Sequence, residues 1–285
     1  MSTPRVVLYH AHCPDGFGGA YAAWKKFGNE ATYLPIAYDE PPPENLSGAH
    51  LYFIDFCYSK ETMDQFVAQA EGVTVLDHHR SMRETVESMP EHVFNENCSG
   101  ATIAWEYFHP DEPLPLALCY IADGDLHRKE LPHSMAVLLY LYTLPYQFEL
   151  WDEFVRTLEN EQGYADICAR GTIYEVYHNR IVKQLADAAR PVSFEGQTCY
   201  LIDAPRMFAT DVGEKLLARQ PTLALLVHAQ ATGIAVSVRS TGAIDAGAVA
   251  RKYGRNGHSH SAAFFVPYEG PLPWTLLDAQ NQLER

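Results

Sequence analysis

Three short apolar runs in the first third of the chain constrain its fold more than any other sequence feature. They cover residues 5–9, 50–54 and 73–76, and each has the length and composition of one buried strand. Between them the apolar residues recur every three or four positions, which is typical of amphipathic helices. The order strand, helix, strand, helix, strand predicts a parallel sheet, and therefore an α/β protein.

Polar residues with ligand chemistry follow each of the three predicted strands. They are His10 and Asp15 after the first strand, Asp55 after the second, and Asp77, His78 and His79 after the third. In a parallel sheet the carboxyl ends of the strands share one edge, where α/β proteins place their functional sites. Asp123, at the predicted end of a later helix, is expected to reach the same edge.

The chemistry of this predicted edge favours a hard divalent cation. Carboxylates and imidazoles without thiolates suit Mn²⁺, or alternatively Mg²⁺, better than a structural zinc ion. The six cysteines are scattered without the CxxC spacing of a zinc knuckle. Two ions held a few ångströms apart would activate a water molecule and neutralise a phosphoryl oxygen.

The sequence pattern changes near Arg190 and Pro191. Residues 115–189 are predicted to be mostly helical. After them, short strands are interrupted by two helices, and the strands are predicted at 192–194, 199–202, 223–227 and 234–239. We therefore predict two domains, residues 1–189 and a smaller α/β domain over residues 190–285.

Composition limits the partners of the protein. Its net charge of −15 disfavours a non-specific duplex-DNA binder, which would normally be basic, but leaves a small polyanionic substrate open. The scattered cysteines fit reduced thiols in a cytoplasm. We find no signal segment and no apolar run of roughly 18 residues, so we expect no membrane association. The oligomeric state is left open, and a homodimer is compatible with the sequence.

Four motifs in this order resemble those of the DHH phosphoesterase family. They are His10 with Asp15-Gly16, Asp55 after its strand, Asp77-His78-His79, and Asp123. The C-terminal part resembles the DHH-associated domain through residues 236–240 and 254–258. Together the two resemblances span nearly the whole chain. They imply a catalytic domain, a substrate-binding domain and an active-site cleft between them, with manganese-dependent hydrolysis of phosphoester or phosphoanhydride bonds.

The resemblance implies a metal centre at the predicted sheet edge. The ligands would be His10, Asp15, Asp55, His78 and Asp123. Asp77 would orient an imidazole rather than bind an ion. Asp123 matches the family position, so we prefer it to Asp125, which would cap the next helix. The predicted catalytic residues are then Asp77, His78, His79 and Asp123.

The resemblance also implies a set of substrate contacts. They are His79, Arg239, Gly257 and His258. Arg239 suits a phosphate because its guanidinium group donates in a forked geometry. We predict a metal-dependent phosphodiesterase acting on short oligoribonucleotides or on linear or cyclic dinucleotides. The alternatives are a hydrolase of polyphosphate or pyrophosphate, and a nucleotide-binding sensor with weak or no catalysis.

The sequence departs from the family pattern at its first motif. Many members carry a second acid two residues after the first Asp, and here that position is Phe17. The spacing from His10 to Asp15 is one residue longer than the commonest pattern, and His12 is a rival ligand. The sequence therefore leaves open whether one ion or two bind, and whether His10 or His12 is the ligand.

Overall fold

A computed structural model describes residues 3–37, 40–255, 257 and 259–277 of the chain. The chain divides into two compact units, Met1–Glu175 and Val176–Arg285. The division falls inside one long helix, Glu161–Ala188. The domain boundary expected after residue 189 stays a prediction. Within the described ranges, no helix combines the length and the apolar character needed to cross a bilayer.

The first unit is built on a parallel sheet. Its strands are β1 (Arg5–His10), β2 (Ala31–Ile36), β3 (His50–Ile54), β4 (Gly72–Asp77) and β5 (Glu91–Phe94). They lie in the order β2-β1-β3-β4-β5, and every neighbouring pair is parallel. The three strands predicted from the apolar runs are therefore confirmed as the centre of the sheet. The edge strands β2 and β5 were not predicted.

Helices follow β1, β3, β4 and β5, and further helices then continue to the end of the unit. They are α1 (Pro14–Phe27), α2 (Lys60–Gln69), α3 (Arg83–Glu87), α4 (Gly100–Phe108), α5 (Leu116–Asp125), α6 (Ser134–Leu141), α7 (Phe148–Leu158) and α8 (Glu161–Ala188). Pro14 starts α1, where its missing N–H would have had no partner in the helix. Gly28 ends α1 with φ of 54°, which a residue without Cβ adopts at little cost.

Both faces of the parallel sheet are covered, so its strands are apolar on both sides. Val7 and Tyr9 of β1 belong to one buried cluster, which includes residues of α1, α4 and α5. Val6 and Leu8 belong to the other, which includes Met63 and Phe66 of α2. A sheet packed on both faces holds its strand ends rigidly, which suits a site that needs fixed geometry.

The second unit contains a separate mixed sheet. Its strands are β6 (Arg190–Phe194), β7 (Gln197–Asp203), β8 (Leu223–Gln230), β9 (Gly233–Ser240), β10 (Ser261–Pro267) and β11 (Trp274–Leu276), with helices α9 (Ala209–Arg219) and α10 (Ala246–Lys252). The order is β10-β9-β8-β7-β6-β11, and β7 and β8 are the parallel pair. The predicted fold class, an α/β protein with a parallel-sheet N-terminal part and a smaller α/β C-terminal part, is confirmed.

Candidate metal centre

The register of the sheet aligns the ends of its three central strands. Tyr9 of β1 pairs with Ile54 of β3, and Ile54 pairs with Leu76 of β4. The residues that follow these are His10, Asp55 and Asp77. They lie in one row at the carboxyl edge of the sheet, as the sequence predicted.

Asp55 is the centre of this row. It is 1% exposed and has a left-handed backbone with φ of 63°, a strained conformation that costs about 1 kcal/mol or more. Its Oδ2 lies 3.3 Å from Nδ1 of His10, and its Oδ1 lies 3.2 Å from Nε2 of His78. Burial would raise the pKa of Asp55, but these hydrogen bonds outweigh it and hold the pKa below its ordinary value.

Asp77 is fully buried and forms hydrogen bonds with the two histidines that follow it. Its Oδ1 accepts the backbone N–H groups of His78 at 2.7 Å and His79 at 3.1 Å. The same oxygen lies 2.7 Å from Nδ1 of His79. The buried Oδ2 of Asp77 has no hydrogen-bond partner among the described residues. An orphaned buried carboxylate oxygen is costly, and a cation is one way to satisfy it.

Asp15 reaches the row from the first turn of α1. Its carboxylate accepts the N–H of Gly100 at 2.6 Å and that of Ala101 at 2.9 Å, so it sits on the N-terminus of α4. Burial, followed by the negative charges of Asp55 and Asp125, raises the pKa of Asp15 well above its ordinary value. This crowding of carboxylates is the arrangement that a divalent cation relieves.

Asp125, and not Asp123, lies beside His78 in the structure. The Oδ1 of Asp123 accepts the N–H of Glu130 at 2.9 Å, and its Oδ2 accepts the hydroxyl of Ser134 at 2.5 Å. Asp123 thus holds the loop after α5. Asp125 Oδ2 lies 3.7 Å from Nε2 of His78 and has no hydrogen-bond partner in the described part of the chain. Positions two apart on a helix differ by about 200° in direction, so Asp125 lies beside His78 whereas Asp123 contacts the loop after α5. The ligand role of Asp123 stays a prediction that this placement does not favour.

His78 lies among three carboxylates. Its Nε2 is 3.2 Å from Asp55, 3.7 Å from Asp15 and 3.7 Å from Asp125. Burial disfavours the charged imidazole, but the hydrogen bond to Asp55 and the charges of Asp125 and Asp15 outweigh it and raise the pKa of His78 to about 9. Positive charge is therefore stabilised at this position, as a divalent cation would require.

The donor atoms converge into three groups in the described part of the chain. The groups are His10, Cys13 and Asp55; Asp55, Asp77, His78 and His79; and Asp15, His78 and Asp125. Within each group the donor atoms lie within 4.8 Å of one another. These residues therefore fit a divalent metal centre in both geometry and chemistry. Cys13 was missed by the sequence argument, although it lies in the same short loop as His10 and Asp15.

The first motif differs from the family pattern in a way the structure explains. Phe17 is 2% exposed and packs on Phe148 and Trp151, with ring centroids 4.8 and 4.7 Å away. The position of the expected second acid is therefore part of the aromatic core. Between the two rival histidines, His10 lies at the row, whereas His12 is exposed and belongs to none of the three donor groups.

Of the predicted substrate residues of the second unit, Arg239 lies on β9 and Gly257 lies near the start of β10. Arg239 donates to the carbonyl of Val238 at 3.1 Å and to the hydroxyl of Thr210 at 3.4 Å. Burial, and next the charge of Arg206, lowers the pKa of Arg239. Gly257 forms a bridge with Ala262, where a Cβ on the glycine would approach to 2.4 Å. His258 lies outside the described residues.

Comparisons with known proteins support the fold. No protein-family model matches the chain. An uncharacterized protein of Acanthamoeba polyphaga mimivirus is 26% identical over 304 residues, which cover 98% of this chain and 72% of that protein.

RecJ from Thermus thermophilus, solved in complex with Mn²⁺, matches 92% of this chain with a TM-score of 0.53 and 15% identity. This chain shares the fold of RecJ, which is a DHH-family phosphoesterase. It spans about half of RecJ, 49% of that chain. A pGpG-specific phosphodiesterase of Vibrio cholerae matches 94% of both chains with 15% identity and a TM-score of 0.48. The resemblance predicted from the motifs is thus confirmed at the level of the DHH fold.

Proposed function

We propose that this protein is a metal-dependent phosphodiesterase that hydrolyses short nucleotides. The observation that carries the proposal is the sharing of Asp55 between two groups of metal donors at the carboxyl edge of the parallel sheet. Convergent titratable groups with strongly shifted pKa values are typical of functional sites. The substrates would be short oligoribonucleotides and linear or cyclic dinucleotides.

The ions are proposed to be divalent, with Mn²⁺ as the first candidate because RecJ was solved with that ion. The residues that would hold them are His10, Asp15, Asp55, His78 and Asp125. Ions bound here would lower the pKa of a water molecule and offset negative charge on a phosphoryl oxygen.

Residues of the chain also orient the groups proposed to contact the substrate. Asp77 fixes the ring of His79 through Nδ1 and both following backbone N–H groups. We propose that the ring of His79 contacts a phosphate oxygen of the substrate. One of these hydrogen bonds is made by the ring of His79 and two by the backbone of His78 and His79. A ring held in this way is pre-organised, so little order is lost when substrate binds.

In the second unit, Arg239 is proposed to bind a phosphate of the substrate. It forms no ion pair with any described residue, and its hydrogen-bond partners are neutral. A half-buried guanidinium group without a carboxylate partner is suited to an anionic ligand. Gly257 and His258 complete the proposed contacts of this unit.

The decisive experiment is a substrate screen with Mn²⁺. It compares dinucleotides, cyclic dinucleotides, short RNAs, polyphosphate and pyrophosphate. Asp55→Ala and His78→Ala should abolish hydrolysis and retain the circular dichroism of the parent protein. His92→Ala is the matched control, because His92 is exposed and lies outside the three donor groups. Full activity in either site variant would refute the assignment of the site.

The screen also separates the two alternatives. Cleavage of polyphosphate or pyrophosphate without cleavage of any nucleotide would make the protein a phosphoanhydride hydrolase. Tight binding of a nucleotide with no product in excess Mn²⁺ would make it a sensor. Cleavage of a dinucleotide or a short RNA supports the phosphodiesterase.

A further inference from the structure

The two carboxylate oxygens of Asp55 serve different sides of the candidate metal centre. Oδ2 lies 3.3 Å from Nδ1 of His10, whereas Oδ1 lies 3.2 Å from Nε2 of His78 and 3.8 Å from Nδ1 of His79. A carboxylate placed in this way would be able to hold one ion on each side. The remaining donors on each side then decide which ion that side prefers.

The Oδ2 side includes a thiol. Cys13 forms a donor group with His10 and Asp55 in which the three ligand atoms lie within 4.8 Å of one another. Cys13 is the residue before α1, with an extended backbone at φ of −124° and ψ of 128°. Its side chain does not cap the helix, and its carbonyl accepts the N–H of Phe17 at 3.0 Å. The Sγ atom of Cys13 therefore lies at the start of α1, next to the donor atoms of His10 and Asp55.

The Oδ1 side contains oxygen and nitrogen donors. Asp15, His78 and Asp125 form the third donor group, and Asp55 adjoins it through the contact to His78. The Oδ2 of Asp125 is buried without a hydrogen-bond partner among the described residues. Carboxylate oxygens with one imidazole are the donors that Mn²⁺ and Mg²⁺ accept.

We propose that the two sides bind unlike ions. His10, Cys13 and Asp55 bind a softer divalent ion, such as Zn²⁺, Fe²⁺ or Co²⁺, through the Cys13 thiolate. Asp15, His78, Asp125 and Asp55 bind Mn²⁺ or Mg²⁺. Thiolate ligands select the softer ions, and carboxylates select the harder ones. Cys13 thereby supplies a donor in the motif where Phe17 replaces an acid. This inference rests on the proposed metal-dependent function and refines it.

Cobalt provides a direct test, because a thiolate bound to Co²⁺ gives a charge-transfer absorption in the near ultraviolet. The metal-stripped full chain is titrated with Co²⁺, and the visible bands of bound cobalt are recorded together with the charge-transfer band. We expect both in the parent protein. Cys13→Ser and Cys13→Asp should lose the charge-transfer band, and Cys13→Asp should keep the visible bands through its oxygen donor.

Cys98→Ser is the matched control. Cys98 accepts a hydrogen bond from Asn95 at 3.0 Å and belongs to none of the three donor groups of the described residues. This variant should keep the charge-transfer band. In competition titrations, Cys13→Asp should lose affinity for Zn²⁺ relative to Mn²⁺ by more than about tenfold, since even an outer partner of a ligand contributes that much.

Failure of this inference differs from failure of the proposed function. Bound cobalt without a charge-transfer band, or a band that survives Cys13→Ser, would overturn the role of Cys13 even if Mn²⁺-dependent hydrolysis were intact. A band that depends on Cys13 would support the thiolate site even if no phosphoester were cleaved, in which case only the proposed function would fall.

Discussion

Asp15 and Gly100 are 85 residues apart in the sequence, yet the N–H of Gly100 donates to Oδ2 of Asp15 at 2.6 Å. The contact joins the first turn of α1 to the first turn of α4. It also explains why no side chain fits at this position: a Cβ on Gly100 would lie 2.7 Å from Cβ of Asp55 and 3.0 Å from Oδ2 of Asp15. The start of α4 is shaped around two proposed metal ligands.

Gly100→Ala should therefore disturb the metal centre. We expect the affinity for Mn²⁺ to fall by about tenfold or more, because displaced carboxylates bind an ion less well. Isothermal titration calorimetry measures the change, and circular dichroism monitors the fold. Gly270→Ala is the control, since a Cβ there meets nothing within 4 Å. Unchanged affinity in Gly100→Ala would contradict the proposed ligands.

Asp125→Asn should weaken metal binding and leave the fold stable. The substitution removes a buried negative charge that repels Asp15, so the metal-free protein should melt at the same temperature or higher. Mn²⁺ affinity and turnover should both drop. Equal Mn²⁺ affinity in the variant and the parent would show that Asp125 is not a metal ligand.

Asp123→Asn should have the opposite effects. The carboxylate accepts hydrogen bonds from Glu130, Leu131 and Ser134, and an amide cannot replace all of them. We expect the free energy of unfolding to fall by about 1–3 kcal/mol. Urea denaturation measures this loss. The affinity for Mn²⁺ in the folded variant should stay close to that of the parent, in contrast to Asp125→Asn.

Asp77→Asn should reduce turnover more than it changes the fold. The amide keeps the shape of the side chain but replaces one acceptor by a donor, so the ring of His79 loses its fixed orientation. We expect kcat to fall about 10-fold to 100-fold. Steady-state kinetics on the substrate found by the screen checks this. A variant with parental kcat would show that the orientation of His79 does not matter.

The loss of stability at low pH should depend in part on Asp152 of α7. Its carboxylate accepts hydrogen bonds from Lys25 at 2.8 Å and Tyr21 at 2.9 Å. Burial would raise the pKa of Asp152, but these partners outweigh it and lower the pKa. A lowered folded-state pKa contributes stability above the unfolded pKa, and this stability is lost as the pH falls through the folded value.

We therefore expect Asp152→Asn to cost about 1 kcal/mol at neutral pH, and the difference from the parent to shrink below about pH 4. Urea denaturation at several pH values measures it. Asp64→Asn is the control, because the pair of Asp64 with Lys60 is exposed and should contribute less than about 0.5 kcal/mol. A constant difference across the pH range would rule out the ionised form as the cause.

The row formed by His10, Asp55 and Asp77 was predictable because two simple signals coincide there. Apolar runs mark buried strands, and the residue after each run falls at the carboxyl edge of a parallel sheet. The edge strands β2 and β5 give weaker signals, since β2 carries Pro35 and β5 is mostly exposed. Pro35 interrupts the strand pattern of β2, and β5 is short and has only two apolar residues, Val93 and Phe94.

Other parts of the site depend on tertiary structure. The choice between Asp123 and Asp125 depends on the rotation of α5, which packing sets and the local sequence does not. The contact of Asp15 with Gly100 joins segments that no short-range pattern relates. Cys13 was set aside with the other cysteines because its spacing matches no thiolate motif, whereas in the structure its Sγ lies near donor atoms of a histidine and an aspartate.

The proposed metal donors come from separate segments of the chain, and this links ion binding to the amount of folded protein. The side chains come from the ends of β1, β3 and β4 and from α1 and α5, so no short stretch of an unfolded chain can hold an ion with all of them. Bound ions then favour the folded state, by about 2.7 kcal/mol when free ion is 100 times its dissociation constant. A cell short of these ions would lose intact protein to degradation as well as turnover, so the abundance of this protein would follow metal availability.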